Sequence, residues 1–164
     1  MMTHENIKNI MFEEGRRQAL ILQEKSSTMT GTELNARDNT IPDFLASVKV
    51  KNMMDREAGD TTGFICKSST GRVVRLLQKY NSNNYLHEDG TPWEPEELPA
   101  QWRFVWSTDP KKALPFVKMA TSPYNIDDCC IENDEIFRST MNFNVYAPSE
   151  YPQGWVKVEL GVSI

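Results

Sequence analysis

Cys66 and His87 are the residue types of a nucleophile and its general base. Glu96 with Glu97, and Asp127 with Asp128, are the residue types of a glycosidase's paired carboxylates. None of these has the setting its chemistry demands. Cys66 stands in a strand-like apolar run and His87 in a polar loop, with no third group in a recognisable motif to orient them. Adjacent residues of an extended segment point to opposite sides, so neither carboxylate pair converges on one glycosidic bond. The acidic run at 132–135 lacks the alternating Asp/Asn-with-Gly spacing of a calcium loop and reads as a hairpin turn. Three cysteines, two of them adjacent, and two histidines give no zinc spacing, and no glycine-rich phosphate loop occurs. The expectation is a protein that is not an enzyme and uses no cofactor or metal.

A second pattern of chemistry-bearing residues is aromatic. WEPEELPAQWRFV (93–105) and YAPSEYPQGWVKV (146–158) share the skeleton P-x-E-x-P-x-x-W-x-x-V, with an aromatic two residues before the first proline. Paired prolines stiffen an extended loop, and such a loop holds the aromatic before it at a defined surface position. Trp93 and Tyr146 are those aromatics, with Tyr151 an equally exposed rival of Tyr146. Each either contacts a ligand or packs between modules or proteins. Alternation after Trp102 and Trp155 predicts strands with both tryptophans turned inward. Trp106 and Tyr124 read as boundary packing.

The elements that must position these aromatics repeat as well. Apolar runs at 63–66 and 72–77 flank KSSTG, with Gly71 free to take a positive φ. Runs at 129–131 and 136–138 flank a turn in the same way. Aligning the turns places Cys66 on Cys130 and Val73, Val74 and Arg75 on Ile136, Phe137 and Arg138. The expected organisation is mainly β, with an N-terminal α-helix and tether (1–45) followed by two small antiparallel β modules in tandem, 46–108 and 109–164. Two prolines in the short connection at 105–116 predict that the modules are held rigidly.

Upstream, good helix formers without proline predict a helix from His4 to about Lys25. Its apolar face is thin, so it either packs on its own protein or serves self-association or docking. The stretch after it, SSTMTGTELNARDNTIPDF, is turn chemistry and reads as a linker or as a tether lying against a partner. A net charge of −5, with Lys and Arg scattered, argues against a nucleic-acid surface. The start is not a secretory signal, and no segment approaches a membrane span. Unpaired cysteines suit a reducing cytoplasm.

LLQKYNSNNYLHEDGTPWEPEELPAQW resembles the second half of the chitin-binding type 3 carbohydrate-binding modules. SPYNIDDCCIENDEIFRS resembles their first half, with Asp127 and Asp128 in place of a Gly-Asp pair. The resemblance spans about two thirds of the chain. Copy one lacks the family's opening aromatic, and copy two lacks its leucine-glutamine step. It implies that Trp93, Tyr146 and Tyr151 are carbohydrate-binding, and that the partner is a cell-surface polysaccharide such as chitin or peptidoglycan. The stretch MTGTELNARDNTIPDF followed by β modules is similar to small tail- and fibre-associated proteins of phages and prophages. That implies a virion-associated structural protein made in the bacterial cytoplasm, oligomeric in its assembly and joined to other particle proteins by helix and tether. A free-standing carbohydrate-binding protein, or an assembly partner without sugar activity, is the alternative.

Overall fold

A computed structural model of the protein describes residues 3–49 and 58–161; the parts of the two expected modules at 50–57 and 162–164 lie outside the described residues. Helix α1 spans His4–Lys25. The Asn6 N–H donates to the Thr3 side chain at the N-cap, while Glu5 in the first turn and Lys25 in the last suit the helix dipole. The last two turns of α1 meet the rest of the chain. Leu22 is buried, and the Gln23 amide exchanges two hydrogen bonds with the Ile65 backbone (2.6 and 2.9 Å), pairing with it as another peptide would.

Two sheets follow, and the chain is mixed α and β with strands mostly antiparallel. The first is a meander of β1 (Ile65–Lys67), β2 (Val73–Leu76) and β3 (Trp102–Phe104). The second adds β4 (Leu114–Pro115), parallel to β5 (Cys129–Glu132), and continues antiparallel through β6 (Glu135–Ser139) and β7 (Trp155–Val158). Cys66 pairs with Val74, as Cys130 pairs with Phe137; Leu76 pairs with Trp102, as Ser139 pairs with Trp155. The β5–β6 turn is closed by Asn133 and Asp134, both left-handed (φ 51° and 62°), a two-residue turn whose twist matches the strands.

Each sheet has two faces. One face of β1–β3 places Cys66, Val74, Leu76, Trp102 and Phe104 in a core with Phe44 and Tyr80. The opposite face carries Ile65 and Val73 and is covered by Leu22, Leu34 and Ile41. The segment after α1 is therefore not a tether. It folds onto the first sheet as α2 (Gly31–Asn35) and α3 (Phe44–Ser47), because three apolar side chains sit at 34, 41 and 44 within its polar sequence. Thr30 and Glu33 form a reciprocal capping box at α2. A Cβ on Gly31 would stand 2.2 Å from the Trp106 carbonyl oxygen, so glycine lets α2 come this close.

The geometric correspondence also starts earlier than residue 46. The turn Asp38–Thr40 leads to Asp43 lying parallel to Lys67, as the turn Pro110–Lys112 leads to Pro115 lying parallel to Ile131. Phe44 and Phe116 come next, each edge-on to its tryptophan. Phe44 and Trp102 have ring centroids 5.7 Å apart at 89°, and Phe116 and Trp155 are 6.1 Å apart at 85°. Tyr80 and Tyr124 meet the same tryptophans at 5.3 Å, at 69° and 68°. Tyr80 follows β2, whereas Tyr124 precedes β5, so one aromatic position is filled from two directions of the chain.

Position 108 is no packing boundary either. Met119 and Val117 join the first core, Trp106 stacks on Tyr124 at 4.2 Å, and Arg72 Nη2 donates to the Pro115 carbonyl at 2.9 Å. No helix among the described residues is long and apolar enough to cross a membrane.

Candidate functional site

The glutamate of the repeated phrase has a backbone task. Glu97 Oε2 accepts the Glu94 N–H at 2.8 Å, and Glu150 Oε2 accepts the Ala147 N–H at 3.0 Å. The N–H groups of Glu97 and Glu150 donate back to the carbonyls of Glu94 and Ala147. Both phrases are thus the same side-chain-closed turn, opened by a proline and ending in a core tryptophan.

Each turn is also tied to the hairpin of its own sheet. Ser68 Oγ donates to Glu96 Oε1 at 2.7 Å, and Ser149 Oγ donates to Glu132 Oε1 at 2.6 Å. Ser68 and Glu132 are equivalent positions, as are Glu96 and Ser149. The two copies therefore make one contact with donor and acceptor exchanged. Burial opposes ionisation of Glu96, but hydrogen bonds from Thr70 and Ser68, together with the Arg72 guanidinium at 3.3 Å, hold its carboxyl below the usual value. Glu96 and Glu97 thus face different partners, and no shared bond lies between them.

On these turns stand the aromatics. Trp93 is 38% exposed and stacks on His87 (5.5 Å, 25°). His87 Nε2 lies 3.2 Å from Glu97 Oε2, so the turn-closing glutamate also braces the imidazole behind the indole. Tyr146 (48% exposed) occupies the equivalent place and leans on Tyr151 (40% exposed) at 5.8 Å and 51°. Tyr151 is where the copies diverge, because its counterpart Leu98 is buried. Gly154 lies against Tyr151. A Cβ there would stand 2.9 Å from the Tyr151 ring and 3.4 Å from Met141 Sδ, so glycine leaves room for the tyrosine to lie down on the turn.

Phe143 carries no signal of its own in the sequence. It is 76% exposed and left-handed (φ 55°), a conformation that costs a non-glycine residue on the order of 1 kcal/mol. Two asparagines hold it there: its N–H donates to Asn125 Oδ1, and Asn142 Oδ1 accepts the Ile126 N–H, both at 3.1 Å. Segment 143–151 therefore displays three aromatics. The flanking asparagines in MNFNV are the only sequence hint of such a turn.

The remaining candidates of the sequence are not brought together. Cys66 is fully buried, and burial pushes its thiol well above the usual value, with Glu94 and Glu96 adding to the shift. Burial likewise pushes the Cys130 thiol up to about 12. Among the described residues, no group of three or more His, Cys, Asp or Glu side chains is placed to hold a metal ion. Asp127 is exposed and left-handed (φ 75°), whereas Asp128 turns inward and accepts the Asn125 N–H at 2.7 Å.

Burial raises Asp128 to about 6; the Asn125 hydrogen bond opposes the shift and Asp127 adds to it. A raised carboxyl favours folding most fully below its unfolded value near 4, and that contribution is lost as pH rises through about 6. Asp128→Asn is therefore expected to stabilise the chain at pH 7.5 by on the order of 1–2 kcal/mol, with the gain vanishing below about pH 4. Melting temperatures of both proteins across that range check it. A pH-independent difference would contradict the assignment.

No protein-family model matches the chain, and no curated protein and no solved structure is significantly similar to it.

Proposed function

We propose that the chain is a duplicated β module of the carbohydrate-binding type and that it attaches weakly to a polymeric sugar surface through Trp93 in one copy and Tyr146 with Tyr151 in the other. The observation that carries this reading is the shared turn. Two stretches of chain build the same glutamate-closed, proline-opened turn, and both use it to raise an aromatic into solvent. A left-handed Asp127, where the resembled family has glycine, and the tryptophan that ends each turn in the core are further support.

One aromatic face supplies only a few kcal/mol at roughly 25 cal/mol per Å². That is millimolar binding on the order of a single site, so useful attachment needs many copies acting together, with avidity gains of about 10²–10⁴. A phage or phage-derived particle is the setting in which such a chain would work, as a structural component rather than as an enzyme.

The test is retention of the assembled protein on chitin, peptidoglycan and whole cells, against soluble oligosaccharides in solution. Wild type is expected to be retained on at least one polymer and to bind soluble sugar barely. Trp93→Ala should weaken retention several-fold, and the triple variant with Tyr146→Ala and Tyr151→Ala should abolish it at an unchanged melting temperature. A triple variant retained like wild type, or wild type retained on none of the three surfaces, would leave a structural adaptor without sugar activity.

A further inference from the structure

The two sheets differ at the free edge of their last strand. In each, the tryptophan that ends the repeated phrase opens that strand, and Phe104 and Lys157 stand two residues further on. The outer edge of β3 is closed. The Trp102 N–H donates to the Leu98 carbonyl at 3.1 Å, and the Phe104 N–H donates to Ser122 Oγ at 2.9 Å. Ser122 belongs to the stretch leading into the second sheet, so one copy closes the edge of the other.

Nothing among the described residues takes that place at β7. The Thr140 N–H donates to the Gly154 carbonyl at 2.9 Å, whereas the Ser139 N–H turns away to the Asp128 carbonyl at 2.8 Å. Register carries this alternation along the pair, so Val156 and Val158 bond to β6. The N–H and C=O groups of Lys157, and of Glu159 just past the strand, face the other way. No described group bonds to them. Such an edge is a template for another strand.

The sequence of this edge is complementary to itself. Let WVKVEL (155–160) run antiparallel to a second WVKVEL about Val158. Lys157 then stands opposite Glu159 of the second copy, and Glu159 opposite its Lys157. These are the outward-facing residues, so each pair exchanges both backbone bonds. On the other face Val156 (55% exposed) meets Leu160 (48% exposed), and Val158 meets its own copy. Neighbouring registers lose this match. Centred on Lys157 the strands oppose two ammonium groups, and centred on Glu159 two carboxylates. Half-step registers set outward-facing backbone groups against inward-facing ones.

Lys157 Nζ also meets Glu135 Oε1 of β6 at 2.8 Å, which uses one of its three donors. Glu159 has no ion-pair partner among the described residues. In the pairing Lys157 lies between two carboxylates, one from each neighbouring strand.

We infer that β7 pairs antiparallel with β7 of a second copy of this chain, centred on Val158, so that two four-stranded sheets become one. The contact is two-fold and therefore stops at a dimer. It goes beyond the sugar-binding reading and does not depend on it.

Sedimentation and light scattering of the full chain over a wide concentration range test it. Wild type should pass from monomer to dimer and no further. Lys157→Glu sets a like charge against Glu159 of the second copy, and Glu159→Lys does the same to Lys157. Each variant alone should dimerise more weakly, on the order of ten-fold or more. An equimolar mixture of the two places lysine opposite glutamate at both pairs, so it should dimerise like wild type. Circular dichroism should be unchanged, since both positions are exposed. Glu159→Lys leaves the Glu135 contact in place and so reports on the edge alone. A wild type monomeric throughout would mean that β7 does not seat a second copy. A dimer indifferent to both charges, or a mixture that stays monomeric, would place the contact elsewhere. Each of these results overturns the inference, while sugar retention of the same variants reports separately on the aromatic sites.

Discussion

A chain shortened to begin at residue 46 is expected to lose the β1–β2–β3 sheet, while one shortened to begin at residue 19 keeps it. The longer deletion removes Leu22, Leu34, Ile41 and Phe44, all of them buried. Ile65 and Val73 would be laid open on one face, and Trp102 would lose Phe44, one of its two edge-on partners, on the other. At about 1.5–3 kcal/mol for each fully buried apolar side chain, the loss reaches roughly 6–12 kcal/mol. A domain of this size has about 5–15 kcal/mol in total. The shorter deletion removes only turns of α1 whose side chains are exposed. Proteolysis and near-ultraviolet circular dichroism of both fragments distinguish the cases. If the fragment from residue 46 melts like the full chain, the packing of 26–47 contributes little.

That expectation could not be reached from sequence patterning alone, and the reason is physical. Residues 26–44 have the Ser, Thr, Asn and Asp content of a loop, and as backbone they are a series of short turns, one of them capped by the Thr30 side chain. Their burial rests on three side chains, Leu34, Ile41 and Phe44, too few and too interrupted by turn residues and Pro42 for a pattern to mark an element. Periodicity detects elements that bury a whole face, and the two hairpins and the strands after Trp102 and Trp155 are of that kind or lead directly into it, whereas α1 is legible from its run of helix formers without proline. The repeated phrase was legible because both prolines, the glutamate and the tryptophan each act through local backbone geometry. The glutamate's role became clear only from its hydrogen bonds to Glu94 and Ala147. What escaped was carried by long-range partners. Tyr80 reaches the place Tyr124 fills from the opposite side of its hairpin, so no alignment pairs them. The two-residue strand β4 is too short for any pattern to mark. Phe143 owes its exposure to asparagines on two segments.

Trp155→Ala and Trp102→Ala are each expected to cost about 3–5 kcal/mol, the range for removing a buried large aromatic. Trp102 is fully buried against Phe44 and Tyr80, and Trp155 is nearly so against Phe116 and Tyr124. In Trp155 the indole N–H also donates to the Tyr146 carbonyl at 2.9 Å, so its loss frees the backbone that carries one of the proposed sugar contacts. Two independent modules would show this as the disappearance of one of two unfolding steps. The packing argues for a different outcome. Trp106 touches both aromatic clusters, Met119 sits in the first core, and the Phe104 N–H donates to Ser122 Oγ at 2.9 Å across the junction. The sheets share a wall, so each substitution should displace a single cooperative transition. At about 2–4 °C per kcal/mol for a chain of this length, the displacement is roughly 6–20 °C. Calorimetry of the two variants decides it. An unchanged melting temperature would place that tryptophan outside the core. Two separable transitions, with only one of them sensitive to Trp155, would mean that the duplicated modules fold apart and that the shared wall is contact without coupling.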